Sequence, residues 1–368
     1  MNKPHPPVYY ADYLQLDRLL DSQFPESAKH GEPAHDETLF IIVHQVYELW
    51  FKQIMHELDS VIDLFEKDYV DEKNIGIAAA RLSRITEIQK LLIDQLRVLE
   101  TMTPLDFLEF RDYLLPASGF QSVQFRLIEN MLGIKPDQRL LFNKEAYYAH
   151  VSPAHRAILQ QSEKHTPLFQ LVERWLERTP FLDFEGFNFW KEYRASVEKL
   201  LHRDRETILT NSLSTPEEKQ KQLQELASNE ESFSALLEEA KHRELIAKGR
   251  RRLSYQATQA ALLIHLYRDE PILHQPFRLL TVLVDIDELF TTWRSRHALM
   301  VHRMIGNKIG TGGSTGYHYL RATVEKYKVF ADLFDLSTFL IPRSELPELP
   351  EEIKRNLGFY YTAMNGTK

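Results

Sequence analysis

Glu37–Lys67 reads ETLFIIVHQVYELWFKQIMHELDSVIDLFEK, and the order of its apolar residues decides the fold class. Phe40, Val43, Tyr47, Phe51, Ile54, Leu58, Val61, Ile62 and Phe65 follow the stepping of a 3.6-residue turn, which predicts a long amphipathic helix. Leu39, Ile41, Ile42, Leu49 and Trp50 fall off that stripe, so the first half is apolar nearly all round and is expected to be central and buried.

Working outward, glycine is scarce at 13 of 368 residues, while Leu, Glu, Gln, Ala and Arg are plentiful, so helix formers dominate and turn formers are few. Further helices are expected at about 73–101, 104–115, 120–132, 168–177, 187–209, 255–268, 276–305 and 317–334. No alternating strand of convincing length occurs, and no repeat of about 20 to 50 residues, which argues against a Rossmann unit and a solenoid. The reading is an all-α helical bundle. Residues 203–248 are strongly charged with weak apolar stripes, and Ser214 followed by Pro216 suggests a helix start, so they read as a charged helical insertion. Residues 37–202 and 249–343 then form a single helical domain. Residues 1–36 form an N-terminal arm and 344–368 a C-terminal tail, expected either to pack on a neighbouring subunit or to stay mobile.

Composition narrows the function classes. A formal charge of −8 and a pI near 6.0 leave no general phosphate-binding face, so no nucleic-acid partner is expected. The absence of cysteine removes disulfides, thiolate zinc sites, iron–sulfur clusters, thiolate-ligated haem and cysteine nucleophiles, so any metal must use His, carboxylate or Tyr. No segment approaches about 18 uninterrupted apolar residues, and the first residues lack a signal-peptide core, so no membrane association and a cytoplasmic location are expected.

Three constellations carry chemistry. His44 lies on the same stripe as Phe40 and Tyr47, either as a hydrogen-bonded core histidine or as a histidine facing a cofactor pocket. In TPLDFLEFRDYLL, Thr103 and Pro104 supply a cap and first turn, and Phe107, Phe110, Arg111 and Leu114 share one face. A guanidinium there wants an anion, either a local Asp or Glu or a substrate carboxylate. The third is WRSRHALMVHRMIGNKIGTGGSTGYHYL, Trp293 to Leu320, where Gly310, Gly312, Gly313 and Gly316 crowd into one loop. It is not a Walker loop; it serves as a helix-to-helix turn or as a close backbone approach to a ligand. His297 and His302 are about 500° apart around a helix, so one metal ligand at most is expected from them. No HExxH is present, and chemistry alone leaves haem and non-haem metal both open.

YADYLQLDRLL near the start, HDETLFIIVHQVYELWFKQIMHELDSV, DFLEFRDYLLPASGFQSVQFRLIE, FRLLTVLVDIDEL and RHALMVHRMIGNKIGTGGSTGYHYL together resemble the tryptophan 2,3-dioxygenase family, in its order and spacing, from about residue 9 to 343. The resemblance implies one haem b per subunit and oxidation of L-tryptophan by O2 to N-formylkynurenine, the first step of tryptophan degradation by the kynurenine pathway. It implies that His297 is the iron ligand and that His44 is the catalytic histidine beside the indole nitrogen. Phe40 and Phe107 would pack on the indole, Arg111 would clamp the carboxylate, and Thr311 would bind the ammonium and carboxylate end. Tyr10, Tyr13 and Leu14 match a segment that, in the family, completes a neighbouring subunit's pocket, so a homo-oligomer, a homotetramer by family likeness, is implied. Ser118, Trp293 and Arg294 would contact the haem edge and its propionates. One departure stands in the glycine loop, where Thr315 replaces an expected Ser and keeps its hydroxyl. Two rival readings remain: a haem enzyme acting on another indole, and a haem sensor or carrier that consumes no tryptophan.

Overall fold

The computed structural model describes residues 5–140, 147–149, 151–179, 183–184, 187–308 and 316–358. Its helices of eight residues or more are, in chain order, α1 (Glu37–Phe65), α2 (Glu72–Leu99), α3 (Pro104–Arg111), α4 (Val123–Leu132), α5 (Pro153–Ser162) and α6 (Leu168–Glu177), followed by α7 (Phe189–Thr210), α8 (Pro216–Leu237), α9 (Glu239–Ala247), α10 (Tyr255–Leu266), α11 (His274–Ile305) and α12 (Gly316–Lys326). Among the described residues the strands are two residues each, Asp183–Phe184 paired with Phe187–Asn188. The fold is all-α.

The frame is three long helices, with α2 packed against both α1 and α11. The stripe read from α1 is the one that is buried: Val43, Tyr47, Phe51, Ile54, Leu58, Val61 and Phe65. It meets Ala78, Leu82, Ile85, Leu92 and Leu96 of α2 within one continuous core that also takes in Leu279, Leu280, Leu283 and Ile286 of α11. Each such fully buried Leu, Ile or Val side chain contributes roughly 1.5–3 kcal/mol. Cross-helix hydrogen bonds set the register: Tyr47 Oη donates to the Leu92 carbonyl at 2.6 Å, and Gln89 Nε2 to the Ile286 carbonyl at 3.0 Å. No described helix is long and apolar enough to cross a membrane.

Two local expectations are corrected. The first half of α1 is not enclosed on all sides, since Ile42 and Leu49 are 44% and 49% exposed on the face away from α2. The helix expected at 317–334 is interrupted: α12 stops at Lys326 and a separate turn runs Ala331–Asp335. The cause lies on α11. The Asp287 carboxylate accepts from the N–H groups of Val329 and Phe330 at 3.0 and 2.6 Å, and Arg294 donates to the Tyr327 carbonyl at 3.0 Å, drawing the connecting backbone away from helical bonding.

The charged segment folds back as an α7–α8 hairpin and buries only Leu226, Phe233 and Leu236 along α8. Its second helix begins one residue later than the Ser214 signal, at a Thr215 capping box with Glu218. In the arm, Tyr10–Leu14 and Leu16–Leu20 bury nothing, whereas Glu26 and Ser27 are tied to their own chain by the buried carboxylate of Glu37.

Candidate active site

A cavity of about 260 Å³ opens between α1, α3, α4, α11 and α12. That is far beyond the roughly 10–15 Å³ needed for one water, so the space suits an organic occupant. Two of its walls differ in kind.

The first wall is mainly aromatic. Phe40 and His44 lie one turn apart on α1, with ring centroids 4.1 Å apart, and Phe40 meets Phe107 and Phe110 of α3 at 5.7 and 5.5 Å. Helix α3 is fixed at its start by the Thr103–Asp106 capping box with Pro104 in the first turn, as the sequence indicates. His44 Nδ1 lies 2.7 Å from the Phe40 carbonyl, which can only accept, so Nδ1 carries the proton and Nε2 is left as an acceptor. Burial lowers the pKa of His44, only partly opposed by that carbonyl and by Glu48, so the ring is neutral at pH 7. Arg111 ends α3 on the same cavity; its partner Asp112, at 3.1 Å, is 79% exposed, a pairing that water weakens.

From α11, Trp293 and His297 enter the cavity one turn apart, their rings stacked at 5.1 Å and 7°. Burial, with a smaller push from His44, lowers the His297 pKa to about 4, so its imidazole is neutral and available as a ligand. Its Nδ1 is buried and has no hydrogen-bond partner among the described residues. His302 points elsewhere, exposed and stacked on Tyr317 at 4.4 Å.

The second wall is buried and ionic. Glu129 of α4 accepts from Arg126 at 2.9 Å, from Arg294 at 3.1 Å and from Arg139 at 2.5 Å, with every partner's side chain under a tenth exposed. Burial opposes the charge on Glu129, yet the three guanidinium groups prevail and hold its pKa down to about 2. Arg126, Glu129 and Arg294 face the cavity. Three positive groups against one carboxylate leave an interior surplus that favours an anionic occupant.

Of the residues read from sequence, Phe40, His44, Phe107, Arg111, Ser118, Trp293, Arg294 and His297 meet on this one cavity. Ser118 also caps the turn Gly119–Gln121. Thr311 lies outside the described residues, as does most of the glycine loop. Tyr10, Tyr13 and Leu14 do not line the cavity; they are 75%, 76% and 40% exposed. Arg126 and Glu129 were not singled out from sequence, although their three-residue spacing within QFRLIE places them on one helical face.

The comparisons with known proteins point to one family. The sequence model of the family described as tryptophan 2,3-dioxygenase matches residues 3–340. The chain is 53% identical to tryptophan 2,3-dioxygenase of Bdellovibrio bacteriovorus over 97% of its own length and 99% of that protein's. It is 51% identical to that of Dictyostelium discoideum, over 97% and 90%, and 52% identical to tryptophan 2,3-dioxygenase B of Danio rerio, over 97% and 87%. With matches of this length and with the paired imidazoles, aromatic wall and Arg111 gathered on one cavity, the chain belongs to the tryptophan 2,3-dioxygenase family.

Proposed function

We propose that this chain is a haem-dependent dioxygenase that opens the indole ring of L-tryptophan to N-formylkynurenine, the entry step of tryptophan breakdown. The observation that carries the reading is the meeting of two neutral imidazoles, His44 and His297, with Arg111 and a phenylalanine wall on one cavity. The donor set fits haem b. Among the described residues no three His, Asp or Glu side chains converge to hold a bare metal ion, whereas one buried neutral imidazole suffices when a macrocycle supplies the remaining donors. The surplus guanidinium charge matches the two propionates, and the unpartnered Nδ1 of His297 marks a side chain whose placement local hydrogen bonding does not explain.

His297 would hold the iron, with Trp293 stacked behind it and Ser118 and Arg294 at the cofactor edge. The haem supplies activation of O2, chemistry that no side chain here provides. The protein's share is positioning. Arg111 takes the substrate carboxylate in bidentate fashion, Thr311 the ammonium end, and Phe40 and Phe107 hold the indole. His44, with its proton fixed on Nδ1 by the Phe40 carbonyl, presents Nε2 to accept the indole N–H. Tyr10, Tyr13 and Leu14, apolar or aromatic and exposed on their own subunit, complete the pocket of a neighbour in a homotetramer, and exposed Ile42 and Leu49 add apolar surface for such an assembly.

The test is absorbance of the purified, reduced protein with L-tryptophan in air, following the Soret band and N-formylkynurenine together. Haem and product are expected, and indole analogues lacking the carboxylate should fail because they offer Arg111 no anion to bind. A Soret band without product overturns the dioxygenase reading; no haem after reconstitution overturns the role of His297.

A further inference from the structure

We propose that Arg139, Asn130 and Tyr147, none of which lines the cavity, form a positioning arm that holds Glu129 from behind and thereby keeps the Arg126 and Arg294 guanidinium groups presented to the carboxylates of an anionic cofactor. The inference rests on the haem reading above. It goes beyond it by assigning a role to a buried network outside the cavity.

The arm is continuous. Arg139, with a side chain 2% exposed, donates from Nη1 to Glu129 Oε2 and from Nη2 to Asn130 Oδ1 at 2.6 Å. Its guanidinium carbon sits 4.0 Å from the centroid of the Tyr147 ring, a cation–π contact in a dry setting. Asn130 Nδ2 donates to Tyr147 Oη at 3.1 Å and to Ser162 Oγ at 2.8 Å, and Tyr147 Oη donates to Glu163 at 2.6 Å. The network therefore runs from the cavity wall on α4 to the C-terminal end of α5.

The allocation of Glu129's oxygens shows what the arm does. Oε1 is engaged by Arg294, and Oε2 is shared by Arg126 and Arg139. With Arg139 present, Arg126 contacts the carboxylate through Nη1 alone and remains on the cavity surface. Without it, Oε2 lacks its shortest partner, and the strongest available replacement is a two-pronged pairing with Arg126, which turns that guanidinium away from the cavity. The interior surplus also falls by one positive charge. Both changes weaken the hold on a dianionic ligand and leave its apolar ring contacts untouched.

That asymmetry defines the experiment. The full chain is reconstituted with protohaem or with its uncharged dimethyl ester, and loss of each to excess apomyoglobin is timed. The wild type should retain protohaem longer than the ester. Arg139→Gln should release protohaem about tenfold faster, the size of effect expected for a lost charged hydrogen bond, while ester loss is unchanged. Arg139→Lys should restore part of the difference by returning the charge, and Tyr147→Phe should give a smaller change of the same kind. Equal acceleration for both porphyrins, or for neither, in Arg139→Gln overturns the positioning role. A wild type that retains neither porphyrin fails at the haem reading itself and takes the arm's role with it.

Discussion

The two walls of the cavity are built from helices of similar kind and differ in how their titratable groups are surrounded. Along α1 and α3 the lining is mainly Phe40, Phe107 and a His44 ring kept neutral by desolvation, with Glu48 and Arg111 beside them. Along α4 and α11 it is a fully ionised cluster in which burial is overruled by three guanidinium groups around one carboxylate. The difference is a matter of partners. An imidazole set mainly among rings stays neutral, whereas a carboxylate surrounded by opposite charges keeps its charge. A site so divided can hold an apolar ring against one wall and an anionic group against the other, as the proposed joint binding of tryptophan and haem requires.

The largest expected effect removes what the walls share. His297→Ala should abolish ordered haem, read as loss of the Soret band after reconstitution, and a normal haem content would refute the ligand assignment. Next, Glu129→Gln breaks the ionic wall by leaving three buried cations without their carboxylate. A loss of about 3–5 kcal/mol in denaturant unfolding is expected, and a change within experimental error would show that the cluster is not buried in solution. The same wall gives a pH signature. The Glu129 pKa is held below its ordinary 4.5 at about 2, so its contribution to stability is complete above about pH 4.5 and is lost as pH falls toward 2. Wild-type unfolding followed between those values should show a steeper drop than Glu129→Gln does. On the aromatic side, Arg111→Leu should raise KM for L-tryptophan by about 10–100-fold while haem content stays normal. Phe107→Ala should be milder, raising KM by about fivefold through loss of one aromatic contact. Were Phe107→Ala to match Arg111→Leu, the aromatic wall rather than the carboxylate clamp would dominate substrate recognition.

Much of the aromatic wall was legible in the sequence because its logic is local. Phe40 with His44 and Phe107 with Arg111 are pairs four residues apart, which a helix must bring to one face. Helix existence was legible for the same reason, since the α1 stripe is the buried face. The ionic wall was not. Arg294 reaches Glu129 across 165 residues, and no periodicity encodes that meeting. The family resemblance pointed Arg294 toward the cofactor edge, and the structure adds that its guanidinium is already engaged by Glu129 and the Tyr327 carbonyl. The interruption after Lys326 is of the same type, because the groups that capture the backbone, Asp287 and Arg294, belong to a helix formed some forty residues earlier.

By itself the sequence determined the all-α class, the buried face of α1, the absence of cysteine chemistry and the pairing of His44 with Phe40 and of Arg111 with Phe107, each one turn away. Those properties follow from residue type and from a 3.6-residue period. Only the tertiary structure decided which helices face one another, which arginines share Glu129 and which apolar surfaces stay uncovered on the chain. Those depend on the packing of distant segments, where burial turns a weak surface attraction into a charge that must be matched.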